Sequence, residues 1–244
     1  MSISKDISSR EIIESYNQRF IMIGRLRESD AFYNWVLNVL DAEVNCKLLD
    51  VACGEGHLGR LSMERGLRPY GIDLSDVALA YAKQTEINNQ LSVADGQQLP
   101  FPSSTFDYVT NLGSLEHFKD PLMGLSEMYR VLKPNGKAAL LLPNSYYLVD
   151  IIWTVLRTGN PPSHEQRIER FATYQEWQKQ IENAHFQILE AYKYNFCFPN
   201  SVKDLQWYLQ RPRKIFNLMI APFIPFHLSY SFLFILSKVA LQDA

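Results

Sequence analysis

Leu48-Leu49-Asp50-Val51-Ala52-Cys53-Gly54-Glu55-Gly56-His57-Leu58-Gly59 is the stretch that decides the fold. An apolar run carries one acid, a loop of small residues follows, and a helical pattern begins at His57. An α/β protein presents backbone N–H groups and one carboxylate to a nucleotide-like ligand in this way. The literal Gly54-x-Gly56-x-x-Gly59 pattern satisfies the dinucleotide fingerprint. Asp50 changes the reading. In dinucleotide folds a pyrophosphate sits on the helix N-terminus, and a carboxylate ahead of the loop repels it. The same carboxylate attracts an ammonium group.

Working outward, apolar runs alternate with helical patterns. Strands are expected at Leu48–Ala52, Pro69–Asp73, Leu91–Ala94, Phe106–Asn111 and Lys137–Pro143. Helices are expected at His57–Arg65, Ser75–Asn88 and Pro121–Leu132. Ser75 would cap the second of these, and Asp120-Pro121 places proline at a first helical position. Lys133-Pro134-Asn135-Gly136 reads as a turn. Alternating strands and helices imply a parallel sheet covered on both faces. Residues 7–40 read as helical and 145–170 as irregular. A helix is expected at Thr173–Ala184, a strand at Phe186–Tyr194, two short helices within Asn200–Ala221 parted at Pro212, and a last strand at Ser231–Ala240.

Further acids end the next strands. Tyr70-Gly71-Ile72-Asp73-Leu74-Ser75 puts a carboxylate where it can accept from both hydroxyls of a ribose. Val93-Ala94-Asp95-Gly96-Gln97 offers one to an adenine amino group. Phe106-Asp107-Tyr108-Val109-Thr110-Asn111, Leu115-Glu116-His117-Phe118 and Val131-Leu132-Lys133-Pro134-Asn135-Gly136-Lys137 follow in order. Together these segments, from Leu48 to Pro143 and more loosely to Tyr194, resemble the class I S-adenosylmethionine (SAM) dependent methyltransferases. The similarity is to the small-molecule branch, of the ubiquinone and menaquinone biosynthesis type.

The resemblance implies a doubly wound, seven-stranded, mostly parallel α/β sheet with the last strand antiparallel, N-terminal helices and helical insertions. It divides the chain into an N-terminal helical cap (1–45), a SAM-binding core (46–195) with a substrate-side insertion near 145–170, an aromatic helical lid (196–229), and a last core strand with the C-terminus (230–244). It implies SAM as cofactor and S-adenosylhomocysteine as product. Asp50, Ala52, Cys53, Gly54 and Gly56 would surround the methionine end, Asp73 the ribose, and Asp95, Gly96 and Gln97 the adenine. Leu74 would flank the base, and Asn111 would complete the cofactor set. The family usually has glycine where Ala52 stands.

Methyl transfer from a sulfonium needs alignment of nucleophile, methyl carbon and sulfur, and a base only where the nucleophile must lose a proton. His117, just after the fourth strand, is the candidate base. Some quinone-methylating relatives carry Glu-x-x-Glu-His here and bind a divalent metal. In Gly113-Ser114-Leu115-Glu116-His117 the first acid is absent, so no metal is assigned. Tyr16, Tyr146, His164, Arg167 and Arg170 are the substrate-side candidates, with a solvated helix face as the alternative reading of the last three. The aromatics Tyr147, Trp153, Trp207, Tyr208, Phe216, Phe223 and Phe226 suit either a cavity for an apolar acceptor or the packing of a lid.

The chain has 244 residues and a formal charge of −2, which argues against general nucleic-acid binding. Nothing resembling the Asn-Pro-Pro-Tyr signature of nucleic-acid methylation follows the fourth strand. Cys46, Cys53 and Cys197 lack metal-ligand spacing, and a reducing cytoplasm is the expected home. Ile215–Leu241 is apolar, but Pro222, Pro225, His227 and Lys238 interrupt it, so a lid and a buried strand are expected there instead of a membrane span. Lys203, Arg211, Arg213 and Lys214 beside these aromatics allow weak association with a membrane surface. The reading is a methyltransferase acting on a small hydrophobic or aromatic acceptor, with oxygen ahead of carbon as the accepting atom. The rivals are an NAD(P)-dependent oxidoreductase and a catalytically inactive SAM-binding protein. The glycine pattern favours the former, and Asp50 and Asp95-Gly96 oppose it.

Overall fold

Seven strands form one sheet in the order β3-β2-β1-β4-β5-β7-β6. The computed structural model describes residues 8–23, 28–83, 90–162 and 168–238. The strands are β1 (Lys47–Val51), β2 (Arg68–Asp73), β3 (Leu91–Val93), β4 (Phe106–Leu112), β5 (Leu132–Pro143), β6 (Phe186–Tyr194) and β7 (Ser231–Lys238). β1 pairs in parallel with β2 and β4, β2 with β3, and β4 with β5. β7 alone runs antiparallel, between β5 and β6. This is the doubly wound sheet with an antiparallel last strand that the resemblance implied.

Side-chain alternation along the strands divides the core. Leu49, Val51, Leu140, Leu142, Phe232 and Phe234 join one cluster, which also holds Leu125, Trp177 and Ile181. Leu48, Ala139, Leu141, Leu233 and Ile235 point the other way, onto Phe32, Leu37, Leu58 and Leu61. The period of two along each strand produces these opposed faces. The first is covered by α5 (Pro121–Val131) and α8 (Tyr174–Asn183), the second by α2 (Asp30–Val39) and α3 (His57–Glu64).

Helix starts follow the capping logic. Ser75 Oγ accepts from Ala78 N–H at the head of α4 (Asp76–Ala82). Asp120 accepts from Leu122 and Met123 N–H, with Pro121 in the first turn of α5. Thr173 and Glu176 form a reciprocal capping box on α8. The expected continuation of α4 to Asn88 falls outside the described residues beyond Lys83.

Two expectations need correction. Lys133–Gly136 is not a separate turn but an outward bulge within β5. Phe106 pairs with Leu132 and Tyr108 with Lys137, so two steps on β4 face five on β5. Asn135 takes a left-handed φ of 65° to make this possible. Residues 148–158 are helical, not irregular. α6 (Leu148–Asp150) continues through a π turn (Ile151–Val155) into α7 (Leu156–Thr158), which Gly159 ends at φ 69°. At the N-terminus, α1 (Ser9–Ile23) leans on α4: Asn17 Nδ2 donates to Asp76 and Asn17 Oδ1 accepts from Ser75 Oγ. Residues 200–221 contain α9 (Val202–Leu209) and α10 (Pro212–Ile220), parted at Pro212 as expected.

Candidate active site

A cavity of about 310 Å³ lies beyond the C-terminal ends of β1 to β4, where open α/β sheets bind ligands. It is lined by Asp50 near the end of β1 with Ala52, Cys53 and Gly54 after it, and by Asp73 at the end of β2 with Leu74 after it. Asp95, Gly96 and Gln97 line it after β3, and His117, Phe118 and Lys119 after β4. Tyr16 and Phe20 of α1 and Tyr33 of α2 complete the wall.

The first loop is tied down from several directions. Cys53 N–H donates to Ile72 O, and Gly54 N–H donates to Asp73 Oδ2 at 2.8 Å. Ser75 N–H donates to Asp73 Oδ1. The Asp73 carboxylate therefore knots the glycine loop to the end of β2. Ala52 sits at φ 62° and Gly54 at φ 54°. A Cβ on Gly54 would make only ordinary contact with the Phe20 ring, 3.7 Å away, so it is the left-handed φ that favours glycine here. α3 begins at Gly56 without a capping side chain, leaving first-turn N–H groups for an anion.

Asp50 is buried, and its Oδ1 accepts from Thr110 Oγ at 2.7 Å. Burial raises its pKa to about 7; the Thr110 hydrogen bond opposes this and the nearby Asp73 adds to it. Burial likewise raises Asp73, against the backbone N–H groups that favour its charged form. The Cys53 thiol is pushed well up by burial and by both carboxylates, which rules out a reactive thiolate. Asp95 accepts from Gln97 N–H and from the Gln97 amide, whose oxygen in turn accepts from Asp120 N–H. Asp95 is thus a turn residue and a cavity residue together.

His117 has a defined tautomer. Its Nδ1 lies 2.6 Å from Ile168 O. A carbonyl only accepts, so Nδ1 carries the proton and the neutral ring keeps its lone pair on Nε2. Nε2 stands 3.5 Å from Glu116 Oε1. Glu116 is buried, its Oε2 has no hydrogen-bond partner, and burial raises its pKa to about 8. The Tyr16 phenol is held neutral by burial and by the Glu116 and Asp73 carboxylates.

Several sequence expectations land elsewhere. Asn111 does not line the cavity. It is fully buried, donates to Val51 O and accepts from Leu115 N–H, so it staples the β4 loop to β1. Arg170 also stays outside, with its guanidinium donating to the carbonyls of Glu116, Phe118 and Lys119. Tyr146 is exposed, away from the cavity. His164 and Arg167 lie outside the described residues. Gly56 shapes the loop without lining the cavity. Sequence reasoning gave no role to Glu116, Phe118 or Phe20. Leu115-Glu116-His117-Phe118 gave no signal of the burial of the first, and an aromatic one turn after Tyr16 was the available signal for the last.

The chain matches the family model described as a methyltransferase domain over residues 49–140. It is 32% identical over 173 residues to the ubiquinone/menaquinone biosynthesis C-methyltransferase of Rickettsia akari, covering 59% of this chain and 69% of that protein. It is 34% identical over 112 residues to the ubiquinone biosynthesis O-methyltransferase of Pseudomonas fluorescens, covering 41% of this chain and 47% of that one. Among solved structures, the [4+2]-cyclase SpnF superposes with a TM-score of 0.68 at 17% identity, covering 95% of this chain and 97% of that one. The sheet and the cavity at its switch point are those of a nucleotide-binding α/β enzyme. The chain belongs to the class I SAM-dependent methyltransferase family.

The donor set fits that cofactor. Asp50, Asp73 and Asp95 line one cavity, and an uncapped helix N-terminus stands beside the first. Among the described residues, no group of three His, Cys, Asp or Glu side chains is arranged to hold a metal ion.

Proposed function

We propose that this protein methylates a small hydroxylated aromatic acceptor of quinone-precursor type, with His117 as the base. The observation that carries this reading is the position of His117 on the same cavity as Asp50, Asp73 and Asp95, with its proton fixed on Nδ1. SAM held there supplies a sulfonium methyl group, whose transfer leaves a neutral thioether that needs no protonation.

The chain's own groups divide the remaining work. Asp50 takes the ammonium end and the first turn of α3 the carboxylate end, where the helix dipole favours negative charge. Asp73 accepts from the ribose and Asp95 from the adenine, while Leu74 and Phe118 flank the base. Nε2 of His117 accepts the proton of the acceptor hydroxyl. Glu116, uncharged at neutral pH, stands beside this ring and adds no competing negative charge. Tyr16 and Phe20 close the cavity from above and exclude water.

Loss of the hydroxyl proton makes both the oxygen and the ring carbon beside it nucleophilic. Oxygen is the first reading. Methylation at carbon is the second, favoured by the similarity to the C-methyltransferase of Rickettsia akari. Incubation with methyl-labelled SAM and a panel of alkyl-substituted hydroquinones and catechols, with products located by NMR, tests both. Labelled product with wild type and a loss of about 10²-fold or more with His117→Ala is expected for a general base. Wild-type turnover by His117→Ala overturns the assignment. Binding of NADH but not SAM in calorimetry would overturn the whole reading.

A further inference from the structure

We propose that the outer face of the α9–α10 hairpin docks on an anionic lipid membrane surface. Val202, Leu205 and Leu209 recur at i, i+3 and i+7 on α9, and all are exposed, Val202 at 73% and Leu209 at 64%. Phe216 and Met219 of α10, with Phe223 just beyond it, repeat the same spacing, at 50%, 69% and 84% exposure. Such spacing places each set on one helix face. The opposite faces are already used: Trp207, Tyr208 and Leu218 form a buried cluster of their own. These helices are therefore apolar on two sides, and the fold covers only one.

The hairpin is held firmly from within. Buried Asp204 accepts from Ala31 N–H at the start of α2. Lys214 pairs with Glu28 at 2.8 Å, and Lys193 donates to the carbonyls of Ala221, Pro222 and Ile224. The exposed apolar residues thus stand on an anchored platform.

Charge selects the occupant. Residues 196–230 carry Lys203, Arg211, Arg213 and Lys214 against one acid, the buried Asp204, in a chain whose acids outnumber its basic residues 26 to 24. Lys203 and Arg213 are exposed beside the stripes. An acidic protein that gathers basic side chains around its exposed aromatic face suits a negatively charged, apolar-cored surface. Among the described residues no helix is long and apolar enough to cross a membrane, so contact would be by lying on it. The proposal is independent of the acceptor, because vesicle binding is read without one.

The test is flotation of the full chain with vesicles of phosphatidylcholine alone, and with vesicles containing about one-third phosphatidylglycerol. Wild type is expected to float with the anionic vesicles only, and to be released by high salt. Lys203→Glu/Arg213→Glu and, separately, Phe216→Ser/Phe223→Ser are each expected to lower partitioning about tenfold or more, with S-adenosylhomocysteine affinity unchanged as the folding control. Wild type remaining soluble with both vesicle types overturns the proposal, as does equal flotation with neutral vesicles. A concentration-dependent dimer that Phe216→Ser/Phe223→Ser abolishes, without vesicle binding, would assign the face to a second copy and overturn it too.

Discussion

Cofactor affinity should fall steeply as pH drops below 7, and Asp50 should be the cause. Its carboxyl titrates near 7 because it is buried beside Asp73 with one hydroxyl donor. Only the ionised form attracts an ammonium group. If binding requires that form, the apparent dissociation constant rises by a factor of one plus the ratio of protonated to ionised carboxyl. That factor is about 1.1 at pH 8, about 2 at pH 7 and about 11 at pH 6, a loss of about 1.4 kcal/mol between the extremes. Titration calorimetry with S-adenosylhomocysteine measures it directly. At pH 6 binding should also release close to one proton, seen as an enthalpy that depends on the buffer, and that dependence should vanish by pH 8.5. Stability without ligand runs the other way. The folded carboxyl near 7 lies above its ordinary 3.8, so its contribution is complete below pH 3.8 and lost as pH rises toward 7. Saturating ligand should therefore raise the melting temperature more at pH 8 than at pH 6. Asp50→Asn should flatten the pH profile and cost about 2–5 kcal/mol of binding at pH 8. A flat affinity for wild type between pH 6 and 8, or Asp50→Asn binding like wild type, would refute the reasoning.

The same packing sets three further expectations. Ala52→Gly removes a left-handed alanine costing about 1–2 kcal/mol and adds glycine's entropic penalty of about 0.5–1 kcal/mol, so denaturant unfolding should show a net gain of up to about 1.5 kcal/mol; a loss would show that the methyl group makes a needed contact. Gly96→Ala places a Cβ 2.6 Å from the Phe118 ring and 2.9 Å from Val51; the ring is also wedged against Gly124, so overpacking of about 1–3 kcal/mol and weaker cofactor binding are expected, and unchanged values for both would contradict it. Glu116→Gln should match wild type in stability near pH 4.5 and grow steadily more stable relative to it up to about pH 8, because the folded carboxyl holds its proton until about pH 8 while the unfolded one has released it; urea titrations showing no divergence would place Glu116 in a more polar setting.

Local chemistry made much of this structure legible. The strand acids, the glycine loop and the helix starts at Ser75 and Asp120-Pro121 all depend on neighbours in sequence, and they appear where the pattern placed them. What escaped depends on contacts distant along the chain. Asn111 reads as a cavity residue because it ends a strand, yet Val51 and Leu115 consume its amide. Arg170 reads as a substrate ligand because it lies in the substrate-side insertion, yet three carbonyls 51 to 54 residues away take its guanidinium. The β5 bulge escaped because Lys133–Gly136 has every local mark of a turn, while Lys133 Nζ on Asp107 holds it against the sheet. Glu116 matters only through burial, which no spacing reveals.

The fold alone does not fix the chemistry, since a [4+2]-cyclase shares it at 17% identity. The difference must lie in how the cavity's far wall is built. Here the segment after β5, none of whose described residues lines the cavity, positions the proposed base. Ile168 O fixes the His117 tautomer, and Arg170, two residues on, pins the carbonyls of Glu116, Phe118 and Lys119 around that histidine. Both belong to the stretch between β5 and α8, the part of the chain on which the acceptor would lie. A change in this stretch that alters acceptor shape also shifts Ile168 or Arg170, and so moves the imidazole or releases its loop. Under the proposed mechanism acceptor selection and proton acceptance are mechanically joined, whereas Asp50 and Asp73 stand at the ends of β1 and β2 apart from both, and only Asp95 is tied to the pinned loop, through Gln97 and Asp120. Substitutions at Ile168 or Arg170 should accordingly change turnover and acceptor preference together while weakening the hold on the methyl donor less than Asp50→Asn does.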